Sequence, residues 1–140
     1  MARWEKYGTR DLTFSEWHRR LEPGDSNFLT CIDIDVVEYC ALCNDPLAFL
    51  ELAWDVGQPH KAATVLRRVA ALANRPAYVM LYRVGQRGGI VGFRLRQIYP
   101  TWSDWQILTP SEVAALIWRI HLEHRCPGSE NQPRDDDVPF

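Results

Sequence analysis

Two strand-like runs joined by a short turn, residues 31–39 and 47–54, constrain the fold of this chain more than any other feature. The first run alternates apolar residues with Asp33 and Asp35, and the second is apolar except for Glu51. Alternation of this kind is typical of a strand with one buried face. Because a carboxylate inside a sheet is costly to bury without a partner, these acidic residues either have separate partners or together form a site.

The remaining elements follow from helical spacing, caps and turn residues. We expect three helices and two further strands: a helix opened by a capping box at Thr13 and Glu16, a helix over residues 59–75, strands over residues 77–84 and 90–99, and a helix opened by a capping box at Thr109 and Glu112. The order αββαββα predicts an α/β fold with one mixed, four-stranded sheet flanked by helices. Because a helix joins strands two and three, these two should be parallel.

Length and composition predict a single domain in the cytoplasm. The chain has 140 residues, of which 46 % are hydrophobic and 24 % charged, and this is enough for one domain, placed at residues 1–128. Residues 129–140 are polar and acidic, which predicts a disordered tail. No apolar run approaches the roughly 20 residues that span a bilayer, and the N-terminus lacks the apolar core of a signal peptide. We therefore expect no membrane contact, and reduced cysteines.

The segments IDIDVVEY (residues 32–39) and PLAFLELA (residues 46–53) resemble the motif of the PD-(D/E)XK nuclease superfamily. In that family a strand with an aspartate is followed by a turn, a strand ending in Glu-x-Lys, a helix and another strand. The layout of residues 12–82 is also similar to small phage and actinobacterial proteins of this type. The resemblance implies a restriction-endonuclease-like fold, metal-dependent cleavage of DNA phosphodiester bonds, and a phage-encoded protein.

The same resemblance implies the site residues. Asp35 and Glu51 match the two acidic positions and would hold Mg²⁺ or Mn²⁺ with help from Asp33. Magnesium suits such a site, because it prefers oxygen ligands and is held by one or two carboxylates, and it could activate water at a scissile phosphate. Ala53 occupies the position of the family's lysine, so Lys61 is the candidate to replace that lysine in catalysis.

The missing lysine leaves two functions open. An active enzyme would cleave DNA at Asp35 and Glu51, whereas an inactive relative would keep the fold and bind nucleic acid or a host protein. A homodimer is compatible with either function, since many nucleases of this kind work in pairs. A simpler interpretation makes Asp33, Asp35 and Glu38 the charged solvent face of an edge strand.

Arginines make the middle of the chain basic, although the formal net charge is −2. Phosphate contact is one interpretation, and a solvated face balanced by the acidic tail is the other. The four candidates for nucleic-acid contact are Arg67, Arg68, Arg94 and Arg96. Trp102 and Trp105 could stack on bases, but we expect them to pack beneath a helix.

Cys40 and Cys43 form a CxxC pair in the turn between the two acidic runs. Zinc needs four ligands, and the other two would have to come from the remaining cysteines and histidines: Cys31, Cys126, His121 or His124. Because a second tight pair is not evident, the sequence disfavours zinc and predicts ordinary reduced cysteines. A redox role is disfavoured too, since the motif lies in a hairpin turn and not at a helix start.

Overall fold

The computed structural model describes residues 13–21 and 31–127. The chain forms two compact units, Met1–Asp33 and Ile34–Phe140. The predicted acidic tail, residues 129–140, lies outside the described residues. Within the described ranges, the structure contains no helix that is both long and apolar enough to cross a membrane.

The first unit contains helix α1, Thr13–Arg19, in the place that the capping box predicts. The rings of Phe14 and Trp17 meet in a tilted contact with their centroids 5.7 Å apart. Both side chains are more than half exposed, at 63 % and 54 %. Among residues 13–21 and 31–127, the buried hydrophobic side chains all belong to the second unit.

The second unit is an α/β fold built on a five-stranded mixed sheet. Its strands are β1 (Val36–Tyr39), β2 (Pro46–Trp54), β3 (Ala77–Val84), β4 (Ile90–Tyr99) and β5 (Gln106–Leu108), in the spatial order β1-β2-β3-β4-β5. Helix α2 (Thr64–Ala73) joins β2 to β3, and these two strands are parallel as predicted. The other neighbouring pairs are antiparallel, and helix α3 (Pro110–Glu123) follows β5.

The prediction of four strands was wrong by one. Strand β5 pairs with β4 through only three residues, with Phe93 opposite Leu108 and Leu95 opposite Gln106. Strand β5 lies between the loop that carries Trp102 and Trp105 and the N-terminal cap of α3. Because it has only three residues, alternation cannot be recognised in it.

Strand β1 is also shorter than predicted, because it begins at Val36 and not at residue 31. Just before it, the Oδ2 atom of Asp35 accepts a hydrogen bond from the backbone N–H of Leu52 at 2.8 Å. The carboxylate thus takes the donor on β2 that a longer β1 could have used. The side chain of Asp35 therefore replaces a backbone acceptor of β1 at this point, and the regular ladder begins one residue later.

Two hydrophobic cores cover the two faces of the sheet. Side chains at alternate positions of β2 enter different cores, with Phe49 on the face of α2 and Leu50 on the face of α3. The core at α2 is formed by Phe49, Ala63, Leu66, Ala70, Ala77, Val79, Leu81 and Ile98, and the core at α3 by Leu50, Met80, Leu95 and Val113. The sheet is therefore the middle of three layers.

Helix α2 begins at Thr64, five residues later than predicted from Pro59. A network of short-range hydrogen bonds holds the preceding segment as a loop. The amide of Gln58 donates to the carbonyl of Trp54 at 2.8 Å and its Oε1 accepts from Val56 N–H at 2.8 Å. Lys61 consequently lies in this loop and not in the first turn of a helix.

Candidate metal centre

The turn between β1 and β2 brings Cys40 and Cys43 together. The N–H of Cys40 donates to the carbonyl of Asp45 at 2.9 Å, and the N–H of Asn44 donates to the carbonyl of Cys40 at 2.7 Å. Asn44 has a φ of 63°, and asparagine accepts this left-handed conformation more readily than most residues. The tight turn is thus specified locally by its Asn-Asp-Pro sequence.

A second pair of ligand side chains lies just beyond α3. His124 caps the helix in an extended conformation, with φ −71° and ψ 139°. In extended chain, residues two apart point to the same side, so His124 and Cys126 face the hairpin turn together. The Nε2 atom of His124 is 3.2 Å from Cys43 Sγ, and the Sγ atoms of Cys126 and Cys40 are 3.5 Å apart.

These two pairs form one cluster, in which the ligand atoms of Cys40, Cys43, His124 and Cys126 all lie within 4.8 Å of one another. A tetrahedral ion with bonds of about 2.0–2.3 Å separates its ligand atoms by about 3.3–3.8 Å, so small shifts would complete the coordination. Among residues 13–21 and 31–127, this is the single set of three or more such side chains close enough to share an ion.

The cluster corrects two sequence predictions about cofactors. Mg²⁺ or Mn²⁺ was the wrong expectation, and so was the expectation of no zinc, because three thiols and one imidazole are a zinc donor set. The error arose because His124 and Cys126 form the second tight pair. Their relation to Cys40 and Cys43, more than 80 positions away, exists only in the folded chain.

Electrostatics at the cluster favour thiolate at Cys40. The backbone N–H groups of Cys43 and Leu42 point to its sulfur and lower the pKa of Cys40 to about 7. The pKa of Cys126 is raised, because its thiol shares a hydrogen bond with Cys40 and lies beside Cys43. The thiolate is the form that binds a metal, so Cys40 is the first ligand available at neutral pH.

A second polar contact lies close to the cluster and joins strand β1 to helix α3. The Nε2 atom of His121 lies 2.9 Å from Glu38 Oε2, between α3 and β1. His121 is thus engaged outside the cluster, although the sequence offered it as a zinc ligand. Glu38 has an interaction partner as well, so it is more than a solvated charge on an edge strand.

The residues suggested by the nuclease resemblance lie just before β1, on β2 and in the loop before α2. Lys61 Nζ is 2.8 Å from Glu51 Oε1, and these side chains are only 27 % and 19 % exposed. Ala53, at the position of the family's lysine, packs against the core at α2. Asp35 is bonded to β2 as described above, while Asp33 belongs to the first unit.

Three of the four arginines named as nucleic-acid contacts make hydrogen bonds within the protein. Arg67 Nε donates to the carbonyl of Ile98 at 3.0 Å, and Arg96 Nε donates to the carbonyl of Ser103 at 3.1 Å. Arg94 donates through Nη2 and Nε to both carboxylate oxygens of Asp55, at 2.8 and 3.3 Å. Arg68 is exposed on α2.

The two tryptophans of the 100–105 loop stack on these guanidinium groups. Arg96 lies 4.9 Å from the ring centroid of Trp102 and 5.3 Å from that of Trp105, and Arg94 lies 4.8 Å from Trp105. Trp105 Nε1 also donates to the carbonyl of Pro59 at 3.1 Å. The arrangement fastens the loop to the face of the sheet that carries α2.

We expect the Asp55–Arg94 pair to make stability depend on pH in acid. Hydrogen bonds from Arg94 and from the N–H of Gly57 hold the pKa of Asp55 below its usual 3.8. Because the folded pKa is lowered, the stabilisation is complete above about pH 4 and disappears as the pH falls through the folded value. Asp55→Asn should cost about 1–3 kcal/mol at pH 7 and flatten the fall in unfolding free energy below pH 4. Urea titrations at several pH values measure this. A variant whose unfolding free energy falls as steeply below pH 4 as that of the unmodified chain would contradict the prediction.

Comparisons of this chain with models of protein families, with curated proteins and with solved structures found no match. The features of this chain that bear on its function are therefore the cluster and the residues around Glu51.

Proposed function

We propose that this chain is a zinc-binding α/β protein, in which one Zn²⁺ is held by Cys40, Cys43, His124 and Cys126. The observation that carries the proposal is the position of these four ligand atoms, all within 4.8 Å of one another. Thiolate ligands favour zinc over hard cations such as magnesium. Zinc would be bound by residues from the two ends of the second unit's chain.

The donor set favours a structural role for the ion. A catalytic zinc keeps one position open for water or substrate, whereas structural sites have four protein ligands. Here the β1–β2 turn supplies two ligands and the segment after α3 supplies the other two. The ion would therefore tie the edge hairpin to the last helix, alongside the His121–Glu38 contact.

Metal analysis of the purified full chain tests this proposal. We expect about one zinc per chain, and loss of zinc to a strong chelator should lower the melting temperature. Replacement by Co²⁺ should give the visible absorption and the thiolate charge-transfer bands of a tetrahedral site. Protein that remains free of metal after incubation with zinc, and that gives no such bands with cobalt, would overturn the proposal.

A second candidate function is hydrolysis of DNA phosphodiester bonds on a restriction-endonuclease-like fold. The observation that favours it is the 2.8 Å contact between Lys61 Nζ and Glu51 Oε1. A lysine from the following loop thus reaches the carboxylate of the Glu-x-Lys-like segment. The resemblance implies a lysine at this place, and Lys61 would supply it. Asp35 would be the second acidic residue of the site, and DNA the partner.

A cleavage assay separates this activity from a binding-only role. The zinc-loaded protein is incubated with single- and double-stranded DNA, with several divalent cations added in turn and with none. We expect Glu51→Gln to reduce cleavage at least about 100-fold and Lys61→Ala to reduce it as well. Glu123→Gln, on exposed α3 surface, is the matched control and should cleave normally. No cleavage under any condition would overturn the activity, and retention of DNA in a gel-shift assay would then support the binding role.

A further inference from the structure

We infer that Cys40 and Cys126 are a modification site for hydrogen peroxide, which joins them as a disulfide and expels the zinc ion. This inference rests on the proposed zinc binding. It assigns a reaction to two ligands that otherwise have a structural role only.

The geometry selects these two cysteines. Their Sγ atoms are 3.5 Å apart, so a closure of about 1.5 Å would reach the S–S bond length of about 2.05 Å. Cys43 Sγ contacts His124 Nε2 at 3.2 Å, a nitrogen with which no S–S bond can form. Cys31 is exposed and is not part of the cluster.

The positions of the two cysteines in the chain allow that closure. Cys40 follows the last residue of β1, and Cys126 follows the last residue of α3 by three positions. Neither side chain belongs to a helix or a strand, so closure by side-chain rotation and by a shift of the segment after α3 would leave the backbone bonds of the turn intact. Cys40, Cys43 and Cys126 are each partly exposed, which gives a small oxidant access to the sulfurs.

The reaction balances in two steps. The thiolate of Cys40 attacks one peroxide oxygen, the O–O bond breaks, hydroxide leaves, and Cys40 becomes a sulfenic acid. Cys126, which zinc binding would keep as a thiolate, then attacks that sulfur, the S–S bond forms, and a second hydroxide leaves. Two thiolates are oxidised by two electrons in total, and peroxide is reduced to two hydroxides.

Zinc release follows from the loss of donors. A disulfide sulfur is a poor ligand compared with a thiolate, so the ion would keep only Cys43 and His124. The new covalent bond would join the same two elements that the ion joined, the hairpin turn and the segment after α3. Oxidation would therefore exchange a metal link for a covalent one and leave Cys43 and His124 accessible.

The experiment uses the zinc-loaded full chain, with its metal content measured before any oxidant is added. Equimolar hydrogen peroxide is added, released zinc is followed with a chromogenic chelator, and the disulfide is located by peptide mapping. We expect about one Cys40–Cys126 disulfide for each zinc released, with reversal by dithiothreitol and zinc. Cys31→Ser should behave like the unmodified chain.

A second variant tests the cross-link in a chain that should still bind zinc and fold. Cys126→His retains a zinc ligand but removes one thiol, so it should bind zinc and lose the 40–126 cross-link. Zinc-loaded chain that keeps its zinc under peroxide, or that yields a Cys40–Cys43 disulfide or only sulfinic acid, would overturn this inference and leave zinc binding intact. Chain that holds no zinc before peroxide is added would overturn both proposals.

Discussion

Replacing Cys43 with serine should reduce zinc binding to well below one ion per chain and should destabilise the second unit. The hydroxyl of serine is a poor zinc ligand, and structural zinc sites contribute about 10–16 kcal/mol of apparent binding free energy. Changing a partner outside the coordination shell already costs about 10–100-fold in affinity, so loss of a ligand should cost at least 100-fold. At zinc concentrations about 100 times the dissociation constant, binding adds about 2.7 kcal/mol to the unfolding free energy, which the variant should lose.

Metal analysis and thermal unfolding measure the two effects together. For a domain of this size, a loss of about 2.7 kcal/mol corresponds to roughly 10 °C in melting temperature. Cys31→Ser is the matched control, because Cys31 is exposed and lies outside the cluster, and it should keep both its zinc and its melting temperature. A Cys43→Ser chain with full zinc content would show that the cluster does not bind the ion through this thiol.

Replacing Leu81 with alanine should lower the unfolding free energy by about 2–5 kcal/mol, because it opens a cavity in close-packed surroundings. Leu81 is 0 % exposed, lies on the central strand β3 and belongs to the core beneath α2. The same substitution at Leu72, which is 90 % exposed on α2, removes equal volume without a cavity. Leu72→Ala should change stability by less than about 0.5 kcal/mol.

Urea denaturation of the zinc-loaded variants measures this difference. The two variants should have similar dependence on urea concentration and different midpoints. A loss below about 1 kcal/mol for Leu81→Ala, equal to that of Leu72→Ala, would contradict the placement of β3 at the centre of the sheet.

The sequence predicts the central strands better than the edges of the sheet, for a physical reason. Strand β3 follows Pro76 and β4 follows a Gly-rich turn, so both boundaries are marked locally and both were placed correctly. At β1 a side chain, Asp35, takes a backbone donor of the neighbouring strand. Such a choice depends on a partner 17 residues away, and local alternation contains no sign of it.

The two candidate sites also differ in how well the sequence predicts them. The motif resemblance selected Glu51 and offered Lys61 as its partner, and the loop before α2 does bring the two together. The cluster of Cys40, Cys43, His124 and Cys126 was missed although the spacings Cys40-x-x-Cys43 and His124-x-Cys126 were both present. The sequence could not show that the extended segment after α3 lies beside the edge hairpin. That position depends on how α3 packs on the sheet.

The separation of the four ligands along the chain would also determine when, during synthesis of the protein, the metal could first bind. Cys40 and Cys126 are 86 residues apart, and at translation rates of about 5–20 residues per second the second half of the site is synthesised about 4–17 s after the first. During that interval the hairpin offers two thiols without their later partners. Zinc acquisition would thus report that synthesis has passed Cys126, and a ribosome stalled before His124 would leave a nascent chain unable to hold the ion.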